Sequence, residues 1–555
     1  MPHHYHHSRE EIAKIEIGHT DSTRGVNWLL TAVFIAVIVA VPVFQTIRER
    51  GRVAAAFSNP WPTGAAPKTP AQLFAVGKQV NNHLLRDIQT FETSLQDRDA
   101  MVQWLIPRMQ AVVTGWLRGG NEDAYCGRDG WLFYRRDLDS LTGRGFLDPV
   151  VLKHRAATGS ELKTPPQPDP VKAIVAFRDQ LAARGIALIV VPAPVKPTIH
   201  PERHTARYAG KTGPVQNPSF AAFQQQLAAA GVAVFDPTPH LLQAKTGAPL
   251  YLATDTHWTP PAMELIAREL AAAARSVTAL PSAAPNRYTT IEKTVTNLGD
   301  LALMLKLPAD QPFFQPETVV TRPVLEANRY WRPDPQAEVL FLGDSFANIY
   351  SLAPMGWGES AGFVEHLSLA LGLPVDGICR NDAGAHATRE MLAKELQRGH
   401  DRLAGKKLVI WEFAARELAC GDWKLIPMTL GEKREAGFYV PAAGQTVTVR
   451  GVVRAAAPAP RPGSVPYKDH IVMVHLAELE SSADPAMAGK EAVVFVWSMQ
   501  NNKLTPAARY RPGDVVELRL RRWADVSAQY EAVNRNELDD QALLFAEPNW
   551  GEWKP

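Results

Sequence analysis

Between residues 28 and 44 the chain carries no charge: WLLTAVFIAVIVAVPVF. Coiled as a helix, that run rises about 25 Å, and Gly25 to Asn27 with Gln45 and Thr46 bring it to the roughly 30 Å of a bilayer core. The run predicts a single membrane anchor over 28–44. A cleaved signal peptide is the rival; it would have a shorter apolar core, nearer the start, ahead of a small-residue site. Here a long polar stretch comes first and Arg48, Arg50 and Arg52 follow, which favours the uncleaved form. Basic residues flank both sides, so charge alone does not orient the anchor.

Residues 45–71 are rich in Ala, Pro and Gly and read as a linker. Beyond it, Leu84, Ile88, Phe91 and Leu95 fall on one helical stripe, most simply a packing face, and Pro107 predicts a break or kink. From about 171 to 420 helical patterns alternate with short apolar runs: 186–194, 232–236, 337–343, 374–379 and 406–413. Buried strands between helices imply an α/β domain with a mostly parallel sheet, whose ligands bind beyond the strand C-termini. After 440 the runs TVTVRGVV, HIVMVHLAEL, AVVFVWSM and DVVELRLRRW predict a separate β-rich domain over 440–555, a sandwich or small barrel.

Composition adds exclusions. Lys and Arg total 59 against 57 for Asp and Glu, so bulk charge does not suit nucleic-acid binding. Three cysteines in 555 residues exclude a disulfide-dense scaffold. The opening MPHHYHH has metal-binding residue types but reads more simply as a solvated tail.

Two short patterns carry chemistry. The strand AEVLFLG runs into Asp344-Ser345, which presents Ser345 at the edge of the sheet where catalysis is expected, its N–H at a helix start. A serine that merely caps that helix fits the same letters. In YLATDTHWTP, Asp255 and His257 are two residues apart. A carboxylate accepting from His Nδ1 would fix the tautomer and leave Nε2 to take a proton from a serine. A metal site on the same pair lacks an evident third ligand.

Taken together, GRDGWLFY (127–134), VVPAPVKPTIHPER (190–203), TDTHWTP (254–260), NLGDLALML (297–305), FLGDSFANIY (341–350) and VIWEFAARELA (409–419) resemble the SGNH-like domain of the alginate O-acetyltransferase J/X family, periplasmic enzymes that acetylate exopolysaccharides. The resemblance spans about 120–425, and the D-x-H precedes the serine as in that family rather than following it. It implies a flavodoxin-like three-layer α/β fold for a domain over 72–435. It also implies Ser345 as nucleophile, His257 as general base and Asp255 as its orienting carboxylate. Gly384 stands where such enzymes place a backbone oxyanion donor. Asn381 is open between helping there and capping the helix near Ala385. Arg416 is open between positioning substrate and an ion pair, with the ion pair favoured. Lys196 is open between lining the cleft and lying exposed in a loop. Trp131, Phe133 and Tyr134 read more safely as core than as a sugar platform, and Cys379 and Cys420 lie where they could pair.

The resemblance further implies an inner-membrane protein with residues 1–27 in the cytoplasm and the catalytic domain in the periplasm. A polysaccharide is the acceptor, a membrane-bound O-acyltransferase supplies acetyl groups, and neither cofactor nor metal is needed. Transfer through an acetyl-serine leads. An acetyl esterase with the same triad, or a polysaccharide-binding assembly protein built around the β domain, remain as alternatives.

Overall fold

The catalytic-edge architecture begins with five short strands: β1 (Ala187–Ala193), β2 (Ala233–Val234), β3 (Val339–Gly343), β4 (Asp376–Cys379) and β5 (Leu408–Ala414). They pair side by side in the order β4-β3-β5-β1-β2, every pair parallel. Side chains alternate across this sheet as strand geometry requires. Ile189, Val191, Phe341 and Ile410 face one core; Leu188, Val190, Leu342 and Trp411 face the other. Both faces are buried, which is why the strands read as unbroken apolar runs. The computed structural model describes residues 23–48, 100–158, 166–284, 286–381, 384–432, 437–460, 467–481, 487–538 and 546–553, with isolated positions between. The histidine-rich opening, nearly all of the linker and the Leu84–Leu95 stripe lie outside them.

Helices α1 (Arg24–Arg48) and α2 (Ala100–Leu117) precede the sheet. The chain divides into two units, Met1–Arg108 and Met109–Pro555. Helix α1 covers the apolar run, but side chains at 37–38 and 40–48 lie outside the described residues. Among the described residues no helix is long and apolar enough to cross a membrane. Pro107, expected to break or kink the helix, lies inside α2 and does not end it.

In the second unit, α3 (Pro170–Ala182), α4 (Phe220–Ala229) and α8 (Ala387–Gln397) cover one face of the sheet. The other face is covered by α5 (Pro260–Val277) and α7 (Phe363–Leu371). Between α5 and β3 the chain makes small antiparallel pairings, including 293–297 with 317–321. This insertion brings Asp300 and Glu317 to the D-x-H loop.

The C-terminal residues form strands β6 (Val447–Ala456), β7 (His470–Glu480), β8 (Ala492–Gln500), β9 (Val515–Arg522) and β10 (Pro548–Trp553). Each pairs with two others in the ring β6-β7-β8-β10-β9-β6, parallel only between β8 and β10. Ring closure makes this a small barrel with no free edge in the main strands, the second of the two expected forms. Its interior is its own apolar cluster, including Phe495, Leu518 and Trp550. Polar contacts tie it to the α/β domain: Lys394 pairs with Glu537, His400 with Glu547, and Arg380 donates to the Arg535 carbonyl.

Candidate active site

Strand β3 ends at Gly343, and Ser345 opens the short helix α6 (Ser345–Asn348). The residue that caps α6 is Asp344, not Ser345: its carboxylate accepts from Phe346 N at 2.8 Å and from Ala414 N at 2.7 Å. A cap supplied by the preceding residue leaves the Ser345 hydroxyl without that duty.

The hydroxyl meets His257. Ser345 Oγ lies 2.8 Å from His257 Nε2, and His257 Nδ1 lies 2.6 Å from Asp255 Oδ1. These two hydrogen bonds join residues from the D-x-H loop and the β3 exit into one chain. Trp258 Nε1 donates to the Phe346 carbonyl at 3.1 Å, and the Tyr350 hydroxyl donates to the Trp258 carbonyl at 2.7 Å. The loop and the serine helix are therefore stapled together on both sides of the Ser345–His257 pair.

Asp255 accepts three further donors. The His257 amide reaches Oδ1 at 3.1 Å; the Asp300 amide at 3.1 Å and Trp357 Nε1 at 2.8 Å reach Oδ2. Burial alone would push this carboxyl upward, but the hydrogen bond and charge of His257 outweigh it and hold it below the usual carboxylate range. Burial likewise opposes protonation of His257, yet the hydrogen bond and charge of Asp255 outweigh it and raise the imidazole above 6.5.

The loop itself is built from below. Glu317 accepts from Ala253 N, Thr254 N and the Thr254 hydroxyl at 2.8, 2.8 and 2.6 Å. Asp300 accepts from Thr256 N at 2.8 Å and from its hydroxyl at 2.9 Å. Nothing in the sequence marks Glu317 or Trp357 for these roles. Asp300 stands in the stretch NLGDLALML, where the letters reveal no partner.

Lys196 does not reach the cleft, nor is it exposed. Fully buried, its ammonium donates to the carbonyls of Leu132 at 2.7 Å and Ala253 at 3.2 Å, near the faces of Trp131 and Phe133. Burial lowers its pKa to about 8. The ammonium bridges two segments, Leu132 at the start of a short strand and Ala253 in the loop before Asp255, whose carbonyl also accepts from Leu132 N at 2.8 Å.

Arg416 forms the favoured ion pair, with the buried Asp137 at 3.1 Å, and also faces the cavity that contains Ser345. Gly384 opens a short 3-10 turn at φ +64°, solvent-exposed and outside that cavity's lining. Asn381 does line it, accepting from Asn348 Nδ2 at 2.8 Å and donating to Met355 Sδ at 3.1 Å, and α8 starts six residues later without it. Trp131 and Phe133 are core, while Tyr134 lines the cavity. All three cysteines are free, Cys379 buried and Cys420 exposed, so the pairing open to Cys379 and Cys420 is not formed.

An open cleft of about 800 Å³, part of it bulk solvent, lies between Tyr134, Asp255, His257, Asn297, Asp300, Ser345, Asn381 and Arg416, and barrel residues Tyr467 and Lys468 complete its wall. Asp300 supplies the third ligand type that a metal site was expected to lack, with one candidate atom from each of Asp255, His257 and Asp300 within 4.8 Å of the others. Both ring nitrogens of His257 are already engaged, one by Asp255 and one by Ser345. The geometry is that of a proton-transfer chain.

A family model described as SGNH hydrolase-like domain, acetyltransferase AlgX matches residues 124–415, more than half of the chain. The chain belongs to this acetyltransferase family. Curated relatives carry the name probable alginate O-acetylase AlgJ. That of Pseudomonas fluorescens is 26% identical over 309 residues, 54% of this chain and 69% of its own length. That of Pseudomonas syringae pv. tomato is 27% identical over 305 residues, 54% and 70% respectively. The solved O-acetyltransferase domain of Pseudomonas putida AlgJ is 24% identical, covers 54% of this chain and 93% of that domain, and superposes with a TM-score of 0.40. The AlgX match ends at 415, ahead of the barrel.

Proposed function

We propose that this protein moves an acetyl group through an acetyl-Ser345 intermediate onto hydroxyls of an exported polysaccharide. The observation that carries the reading is the unbroken chain from Ser345 Oγ through His257 to Asp255, opening on a cavity. In the first step Ser345 Oγ attacks the acetyl carbonyl of the donor while His257 Nε2 takes its proton. The Ser345 N–H at the start of α6 and the nearby Arg416 guanidinium favour the negative charge that develops on the carbonyl oxygen. Collapse expels the donor's leaving group, which takes the proton from His257. In the second step an acceptor hydroxyl gives its proton to His257 and attacks the acetyl-serine, and the Ser345 hydroxyl is restored with that proton.

Three observations support a polymer as acceptor. The relatives are named alginate O-acetylases. The barrel forms part of the wall beside Ser345 through Tyr467 and Lys468. A second cavity, about 1260 Å³, runs between the two domains past Trp331, Trp497 and Tyr530 and shares Pro354 with the first. The barrel then acts as a carbohydrate-binding wall of the cleft. The uncharged run over 28–44 supports a single inner-membrane anchor that keeps the catalytic unit in the periplasm, within reach of a membrane-bound O-acyltransferase as acetyl supplier.

Chasing the acetylated enzyme with oligosaccharides tests the reading. Transfer is expected to outrun hydrolysis through positioning of the acceptor. Rapid turnover in water, unmodified oligosaccharides and release of acetate from acetylated polymer would instead establish an esterase.

A further inference from the structure

Of the charged groups lining the cavity, the mechanism leaves Asp300 and Lys468 unused, and Asp300 is the one beside His257. Asp255 and Asp300 both line the cavity, but Asp255 is taken up by four donors while Asp300 is held only through Thr256. Those two hydrogen bonds, at 2.8 and 2.9 Å, occupy one position on each carboxylate oxygen and fix its direction. Each oxygen retains capacity to accept again. Asp300 is half-buried, and a carboxylate oxygen of it lies within 4.8 Å of a ring nitrogen of His257.

Resting on the transferase reading, we propose that Asp300 determines acceptor specificity: it accepts a hydrogen bond from the hydroxyl next to the one that attacks, so that the site selects vicinal diols. The attacking hydroxyl delivers its proton to His257. Its neighbour on the adjacent carbon donates to Asp300, each bond about 2.7–2.8 Å long. Water offers no second hydroxyl on a fixed frame, so the same contact separates a sugar from solvent. An acceptor with a carboxylate or phosphate next to the attacking hydroxyl is disfavoured, because it brings a like charge to a group that can only accept. Burial and the neighbouring Asp255 push the Asp300 carboxyl up to about 6, so it is ionised at neutral pH.

Small alcohols test this without knowledge of the polymer. The full chain, acetylated by an activated aryl acetate, is chased with cis-1,2-cyclohexanediol or with cyclohexanol at equal concentration, and ester is measured against free acetate. The expected ratio of ester to acetate is about tenfold higher for the diol, the size expected from one hydrogen bond to a charged group. Asp300→Asn, which keeps an acceptor oxygen but loses the charge, should reduce that preference severalfold, Asp300→Ala should abolish it, and Thr256→Val, which frees the carboxylate from one restraint, should weaken it. A merely structural role would slow both alcohols equally and leave the preference intact. Equal ratios in the natural protein, or an undiminished preference in Asp300→Asn, overturn the inference. Failure to form acetyl-Ser345 at all overturns the transferase reading on which it rests.

Discussion

Trp357 Nε1 donates to Asp255 Oδ2 at 2.8 Å across 102 residues of sequence. The indole is fully buried and arrives from a loop beyond the serine helix, so the carboxylate hydrogen-bonded to His257 is gripped from the Ser345 side of the fold as well as its own. Replacing Trp357 with Phe keeps an aromatic ring there and deletes only the donor and some volume. A hydrogen bond to a charged group contributes about 1.5–3 kcal/mol. Trp357→Phe is expected to slow acetyl-enzyme formation by about tenfold or more. Stopped-flow release of the aryl leaving group measures it; an unchanged rate would remove Trp357 from the positioning of Asp255.

Gly299 tests how tightly the loop is seated. A Cβ there would lie 2.3 Å from the Thr254 carbonyl carbon and oxygen and 2.5 Å from Asp255 N. These are backbone atoms, which cannot swing aside as a side-chain tip can. Gly299→Ala must push the D-x-H loop away, breaking the approach of His257 to Ser345. Activity is expected to fall by at least about a hundredfold, with a stability loss of about 1–3 kcal/mol from overpacking. Activity within a fewfold of normal would show that the loop tolerates displacement.

Acylation should depend on pH through His257. The base form is needed to take the serine proton, and Asp255 holds the imidazolium above its ordinary 6.5. Activity should be lost as pH falls, with a midpoint above 6.5. Asp255→Asn should remove most activity and, in what remains, move that midpoint downward, because the charge that favours the imidazolium is gone. A midpoint that stays put in Asp255→Asn would contradict the coupling between the two residues.

Much of this site was legible in the letters because its parts are local. A buried strand running into Asp344-Ser345 and an Asp–His pair two residues apart each announce themselves within ten residues. The five parallel strands were legible for a similar reason, since strands covered on both faces lose their polar alternation. The rest depends on contacts across the fold. Trp357, Glu317 and Asp300 act through partners 102, 63 and 44 residues away, and no local pattern encodes such distances. A lysine after a strand suggests solvent or the cleft, whereas the carbonyls of Leu132 and Ala253, both distant in sequence, hold Lys196 in the interior. The barrel strands were visible as β-rich runs separated by Pro, Gly and Asn, but their closure into a ring is set by the long-range pairing of β8 with β10.

The central claim is that Ser345 carries the acetyl group. Incubating the full chain with an activated aryl acetate, quenching in acid and mapping peptides by mass spectrometry tests it most directly. The account predicts one acetyl group on the peptide containing Ser345, absent in Ser345→Ala and in His257→Ala, with both variants unfolding within a few degrees of the natural protein. Acetylation elsewhere, or an undiminished acetyl-transfer rate in Ser345→Ala, would contradict it.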